Sequence, residues 1–449
     1  MNTVDALPAV NLIWGLNPQI VATAIVVVCY LILFSEKLNR AVVALLGATI
    51  MIFSGILTQH TALQGIDFNT LALLTGMMII VNIAEKSGMF QYVAFWGAKR
   101  VKANPRGLLA VLAFVTAFFS AFLDNVTTVL LIVPVTFQIT KKLNVNPYPY
   151  LILEIFASNI GGTATLIGDP PNILIGSALN LSFTDFLKEL TPIVLVTMVV
   201  IILIFDFFWG KSLKTNAKKQ AEVMKIKEAE AITDKSLLIK SLFVLFCVIT
   251  AFILAEHLHI ANGTIALCGA SVLLLLYTFG NPHDERDKKT ADIFALVDWT
   301  TIFFFTGLFV IVYGLEETGV LKLLGNYFVS LTEGSISNTM MLILWVSAIV
   351  SSAIDNIPFV ATMIPMLKSM EPALGGREVM MPVWWALSLG ACFGGNGTLI
   401  GASANVIVAG MAQRAGHHIN FIRFLKWSIP VMLISVGIAC LWLYIQYFE

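Results

Sequence analysis

SAFLDNVTTVLLIVPV (residues 120–135) places a carboxylate and an amide, Asp124-Asn125, inside an otherwise apolar run. The arrangement returns 231 residues later as SSAIDNIPFVATMIPM (351–366), with Asp355-Asn356 in the same place. Ser120, Asp124, Asn125, Val129 and Pro134 meet Ser351, Asp355, Asn356, Val360 and Pro365. A charge at membrane depth is costly and marks a functional site by default. Two of them in matching surroundings point to a duplicated device.

The duplication extends outward. DFNTLALLTGMMIIVNIAEKSG (67–88) aligns with DWTTIFFFTGLFVIVYGLEETG (298–319) at the same offset, with 8 of 22 residues identical. GGTATLIGDPPNI (161–173) meets GGNGTLIGASANV (394–406) at an offset of 233, with 7 of 13 identical. Three matches in one order define an internal repeat.

Composition supplies the setting. Of 449 residues, 58% are apolar and 12% charged, about half the usage of a soluble protein. A soluble enzyme, a nucleic-acid binder and a disordered scaffold are excluded, and the expected surroundings are a lipid bilayer. Cys29, Cys247, Cys268, Cys392 and Cys440 lack ligand spacing, so neither a disulfide frame nor a structural metal is expected. A helix needs about 20 apolar residues to span a bilayer. Full spans are predicted at 19–35, 41–57, 69–85, 189–209, 240–258, 262–280, 299–316 and 427–447. Two stretches, 107–140 and 339–369, read as hairpins that dip in and return, and 151–178 and 383–413 as helices broken by Gly, Asn, Thr or Pro. The expected fold is all-α and polytopic, with about 10 transmembrane helices, two re-entrant hairpins and two broken helices.

Residues 1–18 lack the pattern of a cleaved signal peptide and read as a retained outer segment. If the hairpins return, six inner loops hold 22 of the 27 Lys and Arg. The positive-inside rule then places both termini outside and the Lys/Glu-rich linker 210–239 in the cytoplasm. Each half, 19–209 and 240–449, makes five crossings, so the second enters upside down. Inverted repeats of this kind belong to secondary transporters, with sites where discontinuous helices meet at the midplane. The expected localisation is the plasma (inner) membrane of a prokaryote.

The hairpin tips expose helix-end carbonyls and amides. With a carboxylate and an Asn oxygen these suit a hard cation, so Asp124, Asn125, Asp355 and Asn356 are candidates for a transported Na+. Thr127 and Thr128 follow in the first tip. The breaks offer Gly161, Gly162, Thr163, Thr165, Asp169 and Asn172 in the first half, and Gly394, Gly395, Asn396, Thr398 and Asn405 in the second. Their glycines permit unwinding, and their polar side chains bind substrate or satisfy the freed backbone. The competing readings are that Asp-Asn caps a helix and that the glycines pack helices. Asp169 meets Ala402 in the repeat, so the site is asymmetric. Glu85 and Glu316 read as interfacial structural residues, while Glu154 stays unassigned. The segment 89–102 reads as an interfacial helix with aromatics toward lipid.

FLDNVTTVLLIVPVT (122–136) and NIGGTATLIGDPPNILI (159–175) resemble P-protein-type permeases of the arsenite permease/NhaD antiporter branch of the ion transporter superfamily. The likeness covers nearly the whole chain and extends to citrate-transporter-like domains. It implies a homodimer with a scaffold part and a moving, elevator-like transport part, and a substrate between the tips and the broken helices. The chain is more remotely similar to divalent anion/sodium symporters, which carry Ser-Asn-Thr at both tips. Here Asp124-Asn125-Val126 and Asp355-Asn356-Ile357 stand instead. A carboxylate at each tip repels a dianion, and no Arg or Lys is expected nearby to offset it.

The resulting expectation is a gradient-driven efflux permease of the arsenite/antimonite type, coupled to H+ or Na+ and needing no cofactor. Undissociated arsenite is a neutral trihydroxide suited to amides and hydroxyls, and Cys392 near the second break adds a thiol. Na+/H+ antiport and organic-anion (citrate or dicarboxylate) transport are the alternatives. A soluble ATPase partner is compatible with the sequence. An intramembrane aspartyl protease is disfavoured by the lack of a GxGD element, and a passive channel does not account for the broken helices.

Overall fold

A computed structural model describes residues 15–35 and 37–449. The expected outer segment 1–18 therefore lies almost wholly outside the described residues. Among those described, all regular structure is helical: 22 α-helices and two short 3-10 helices. Seven helices are long and apolar enough to cross a membrane, and six shorter apolar helices accompany them. This agrees with the all-α polytopic expectation.

The hairpins form where the polar tips interrupt apolar sequence. Pro105–Ser120 turns through 121–124 into Asn125–Leu143, and Ile336–Ala353 turns into Asn356–Met370. Each returning arm is capped by its own aspartate: Asp124 accepts from the Thr127 amide and Asp355 from the Ile357 amide. The broken helices run Tyr148–Gly162 then Pro170–Leu179, and Met381–Gly394 then Ser403–Arg414. Pro170-Pro171 restarts the first, because proline needs no amide partner in an opening turn.

Glycines set how closely these helices approach. Each broken helix lies along the first arm of its own hairpin. A Cβ on Gly161 would come 2.3 Å from the Ala117 carbonyl oxygen, and one on Gly394 2.5 Å from that of Ala348. The surrounding helices cross between halves. Arg40–Phe53 packs on Trp299–Glu317, and Asn262–Thr278 on Phe68–Glu85. Gly307 sits against the Ala44 backbone and Gly76 against that of Ala266. Backbone-to-backbone contact of this kind is what small residues provide between membrane helices.

Two regions differ from the sequence expectation. The helix Met89–Arg100 turns Phe90 and Phe95 inward, with Phe90 edge-on to Phe119 at 4.8 Å, and leaves Trp96 exposed. It is laid on the first hairpin, with Gly97 facing Val111, so its apolar side meets protein before lipid. The segment 281–298, read as a loop, contains the helix His283–Ala295. In the linker, Ala217–Met224 is helical and Glu228–Ala231 is a 3-10 turn. Lys99 Nζ donates to Glu228 Oε2 at 2.5 Å and to the Ile226 carbonyl at 3.1 Å, fastening the linker to the helix Met89–Arg100.

Candidate functional site

A cavity of about 600 Å³ lies where both tips and both breaks converge. Asp124, Asn125 and Thr127 reach it from the first tip, and Asn356 and Ile357 from the second. Asp169 and Pro170 contribute from the first break, and Ala402 and Ser403 from the second. Arg40, Glu85, Asp298 and Thr301 close it from the surrounding helices. The wall holds four carboxylates, Glu85, Asp124, Asp169 and Asp298, against one guanidinium. Asp355 lines an adjoining pocket of about 320 Å³ that shares Arg40 and Ser403 with the first.

Both tip aspartates are helix caps that also line a pocket, Asp124 the cavity and Asp355 the adjoining one. Asp124 Oδ1 accepts from the Thr127 amide at 2.8 Å, and Oδ2 from the Thr127 hydroxyl at 2.5 Å. Asp355 Oδ1 accepts from the Ile357 amide at 3.2 Å, and Oδ2 from the Ser403 hydroxyl at 3.3 Å. Asp169 is wholly buried. Its Oδ1 accepts from the Asn356 amide at 3.3 Å, whereas Oδ2 has no hydrogen-bond partner among the described residues. Buried carboxylates without full compensation are unfavourable, which sets this oxygen apart in the wall.

Behind the cavity a chain of amides joins the halves. Asn125 Nδ2 donates to Asn159 Oδ1 at 3.3 Å. Asn159 Nδ2 in turn donates to Asn396 Oδ1 at 2.9 Å and Asn405 Oδ1 at 3.0 Å. The sequence reading missed Asn159, because its repeat counterpart at offset 233 is Cys392 and no match drew notice.

Most break residues serve the backbone. Asn172 Nδ2 donates to the Thr163 and Thr165 carbonyls at 3.0 and 2.9 Å. Asn405 Nδ2 does the same for Gly395 and Thr398 at 2.8 and 2.9 Å. The Thr163 hydroxyl donates to the Asn159 carbonyl at 2.8 Å. Those of Thr165 and Thr398 donate to the carbonyls of Ala121 and Ser352, stitching each break to its hairpin tip. A Cβ on Gly162 or Gly395 would crowd the Gly168 or Gly401 carbonyl. Thr128 and Asn396 are buried, and neither borders the cavity.

Arg40 corrects one expectation. The sequence placed it in a basic loop and foresaw no cation near the site. It is instead the first residue of a helix capped by Asn39, and side chains there lean toward the N-terminal end. Its Nη1 donates to Ser403 Oγ at 3.0 Å and lies 3.5 Å from Asp355 Oδ2. Its Nη2 donates to Thr301 Oγ1 at 2.6 Å and lies 3.7 Å from Asp298 Oδ2. Glu85 likewise borders the cavity, where an interfacial role was expected. Glu316 lines a separate pocket of about 300 Å³ with Asp67 and Lys368. Glu154 is buried away from the cavity and accepts from the Thr136 hydroxyl at 2.5 Å. Cys392 is fully buried, with Sγ 3.8 Å from Asn172 Oδ1.

Residues 30–390 match the citrate transporter family. An uncharacterized transporter of Mycobacterium tuberculosis is 42% identical over 434 residues, covering 96% of this chain and 99% of its own. The mouse P protein is 33% identical over 509 residues, covering 95% of this chain and 60% of its own. Among solved structures, the YdaH transporter of Alcanivorax borkumensis superposes with a TM-score of 0.60 at 14% identity, covering 97% of this chain and 99% of that one. MtrF of Neisseria gonorrhoeae follows at a TM-score of 0.55 and 12% identity, covering 96% and 95%. These last two likenesses are of fold alone. A polytopic helical fold, a carboxylate-lined cavity between paired hairpins and a family match across most of its length agree: the chain is a membrane permease belonging to the citrate transporter family.

Proposed function

We propose that the protein is a secondary active transporter driven by an H+ or Na+ gradient, giving the cavity alternate access to the two sides of the membrane. The observation that carries this reading is Asp169, wholly buried in a wall of four carboxylates with one oxygen unpartnered. Such a wall favours a coupling cation or proton over a dianion. The cargo we assign is a neutral metalloid hydroxide of the arsenite/antimonite type, which the amides of Asn125 and Asn356 and the hydroxyl of Thr127 suit. The second reading is Na+/H+ antiport, favoured by the same excess of carboxylates. Citrate or another organic anion would meet four carboxylates in the wall with Arg40 as the one cation to offset them.

The repeated order of hairpin and broken helix, with helices exchanged between halves, supports an inverted repeat whose cavity-bearing part moves against the rest as an elevator. Bacterial relatives support a plasma-membrane location, and the basic loops support a cytoplasmic linker with both termini outside. Homodimerisation belongs to the same reading.

Uptake into proteoliposomes under imposed pH and Na+ gradients tests it, comparing arsenite, Na+, chloride and citrate. Arsenite flux that follows a cation gradient is the expected result. Na+ exchange for H+ without arsenite flux selects the second reading. Flux indifferent to every gradient but the cargo's own overturns both.

A further inference from the structure

We propose that Arg40 is a built-in counter-cation for the second hairpin tip, so that Asp355 is not a coupling-ion site and Asp124 and Asp169 bind the coupling cation without it. This rests on the transport reading above and divides its site between the two halves.

The two tips match in sequence and differ in surroundings. Arg40 lies 3.5 Å from Asp355 and 3.7 Å from Asp298, and donates to Ser403 and Thr301. It thus ties the second tip and second break to the helix Trp299–Glu317. Its guanidinium also lies over the Phe304 ring at 5.4 Å, which fixes it from another side. Arg40 and Asp355 are largely buried, at 28% and 27% exposed, whereas Asp298 is exposed; the attraction between Arg40 and Asp355 is therefore less screened than at an open surface.

The first tip has no such partner. The helix opening with Arg40 corresponds, through the paired Gly307–Ala44 and Gly76–Ala266 contacts, to the helix opening with Asn262. An uncharged amide therefore stands where Arg40 stands in the other half. Among the described residues no ion pair engages Asp124, whose hydrogen bonds are to Thr127 of its own tip. Asp124 and Asp169 both border the large cavity. A diffusible cation arriving at Asp355 would have to displace a tethered one, whereas among the described residues no basic side chain pairs with Asp124 or Asp169.

The guanidinium is a positioning group by this account, since it acts on the transported ions through Asp355. A charge-pair cycle in proteoliposomes tests it, with flux and isotopic Na+ binding measured for Arg40→Gln, Asp355→Asn, their combination and Asp124→Asn. Each single neutralisation of the pair is expected to slow gradient-driven flux about tenfold, and the double variant to recover most of it. Half-saturation by the coupling cation in the double variant is expected to match wild type. Arg40→Gln alone is expected to bind additional Na+ at the freed Asp355. Asp124→Asn is expected to abolish cation dependence in either background.

A double variant no better than its singles overturns the proposal. So does loss of cation dependence in the double variant equal to that of Asp124→Asn. If wild-type flux follows no cation gradient, the transport reading fails instead. The pair is then judged by melting temperature in detergent, where absence of coupling between the two substitutions overturns the counter-cation assignment.

Discussion

Asn356, at the tip of the second hairpin, presents its amide to Asp169 in the break of the first half, 3.3 Å away. Neither half therefore completes the cavity alone: one supplies the carboxylate, the other the donor that orients it. The second oxygen of Asp169 has no hydrogen-bond partner among the described residues.

Asp169→Asn keeps the shape and removes the charge. We expect gradient-driven flux to fall at least about tenfold, the scale of a lost charged partner. The melting temperature should hold or rise, because a buried charge is replaced by a neutral group. Flux and melting measured on one preparation decide it, and wild-type coupling in the variant would remove Asp169 from the ion site.

Gly161→Ala and Gly394→Ala introduce the same clash in both halves, with methyl groups 2.3 and 2.5 Å from the Ala117 and Ala348 carbonyl oxygens. Each should lower stability by about 1–3 kcal/mol. Chemical denaturation in detergent measures this. Unchanged stability in both would mean the helices separate more easily than their backbone contact implies.

Asn159→Ala removes the amide that bridges Asn125 to Asn396 and Asn405. Leaving buried amides unpaired costs about 1–3 kcal/mol for each group. Lower melting with flux lost is expected. Retained stability would show that water takes over the amide bonds.

Cys392→Ala should not abolish arsenite flux, because the thiol is fully buried between Asn172 and Asp169 and does not border the cavity. Arsenite transport that depends on Cys392 would contradict the cavity assignment.

The linker clasp has a predictable acid limit. The hydrogen bond from Lys99 holds the Glu228 carboxyl below its ordinary value. A lowered carboxyl contributes stability above the ordinary glutamate range and loses it as pH falls through the lowered value. Protection of residues 225–235 from protease should persist through neutral pH and fade only on acidification below that range. Lys99→Gln should abolish the step.

The sequence made the broad plan legible because its cues were repeated. Asp124-Asn125 and Asp355-Asn356 in apolar surroundings located both tips, and the paired Gly-Gly stretches located both breaks. Asn159 and Arg40 escaped for opposite reasons. Asn159 meets an unlike residue, Cys392, in the repeat, and Arg40 has the look of a boundary residue by local composition. What placed each was the approach of segments hundreds of residues apart, to which neither periodicity nor charge counting is sensitive. The threonines and asparagines of the breaks stand out in the sequence as polar residues in apolar runs. Only the folded geometry shows that break residues such as Asn172 and Asn405 hold freed carbonyls, while Asn125, Thr127 and Asn356 of the tips face the cavity.

The exchange of helices between halves bears on how the chain is made. The face of Arg40–Phe53 that receives Gly307 must wait, already inserted, until more than half of the protein has been synthesised. Severed within 210–239, the two pieces would each lack their inner partners and find them only in one another. Biosynthesis of this permease therefore ends in a joining of two unfinished parts, and the linker's service is to keep them together until it happens.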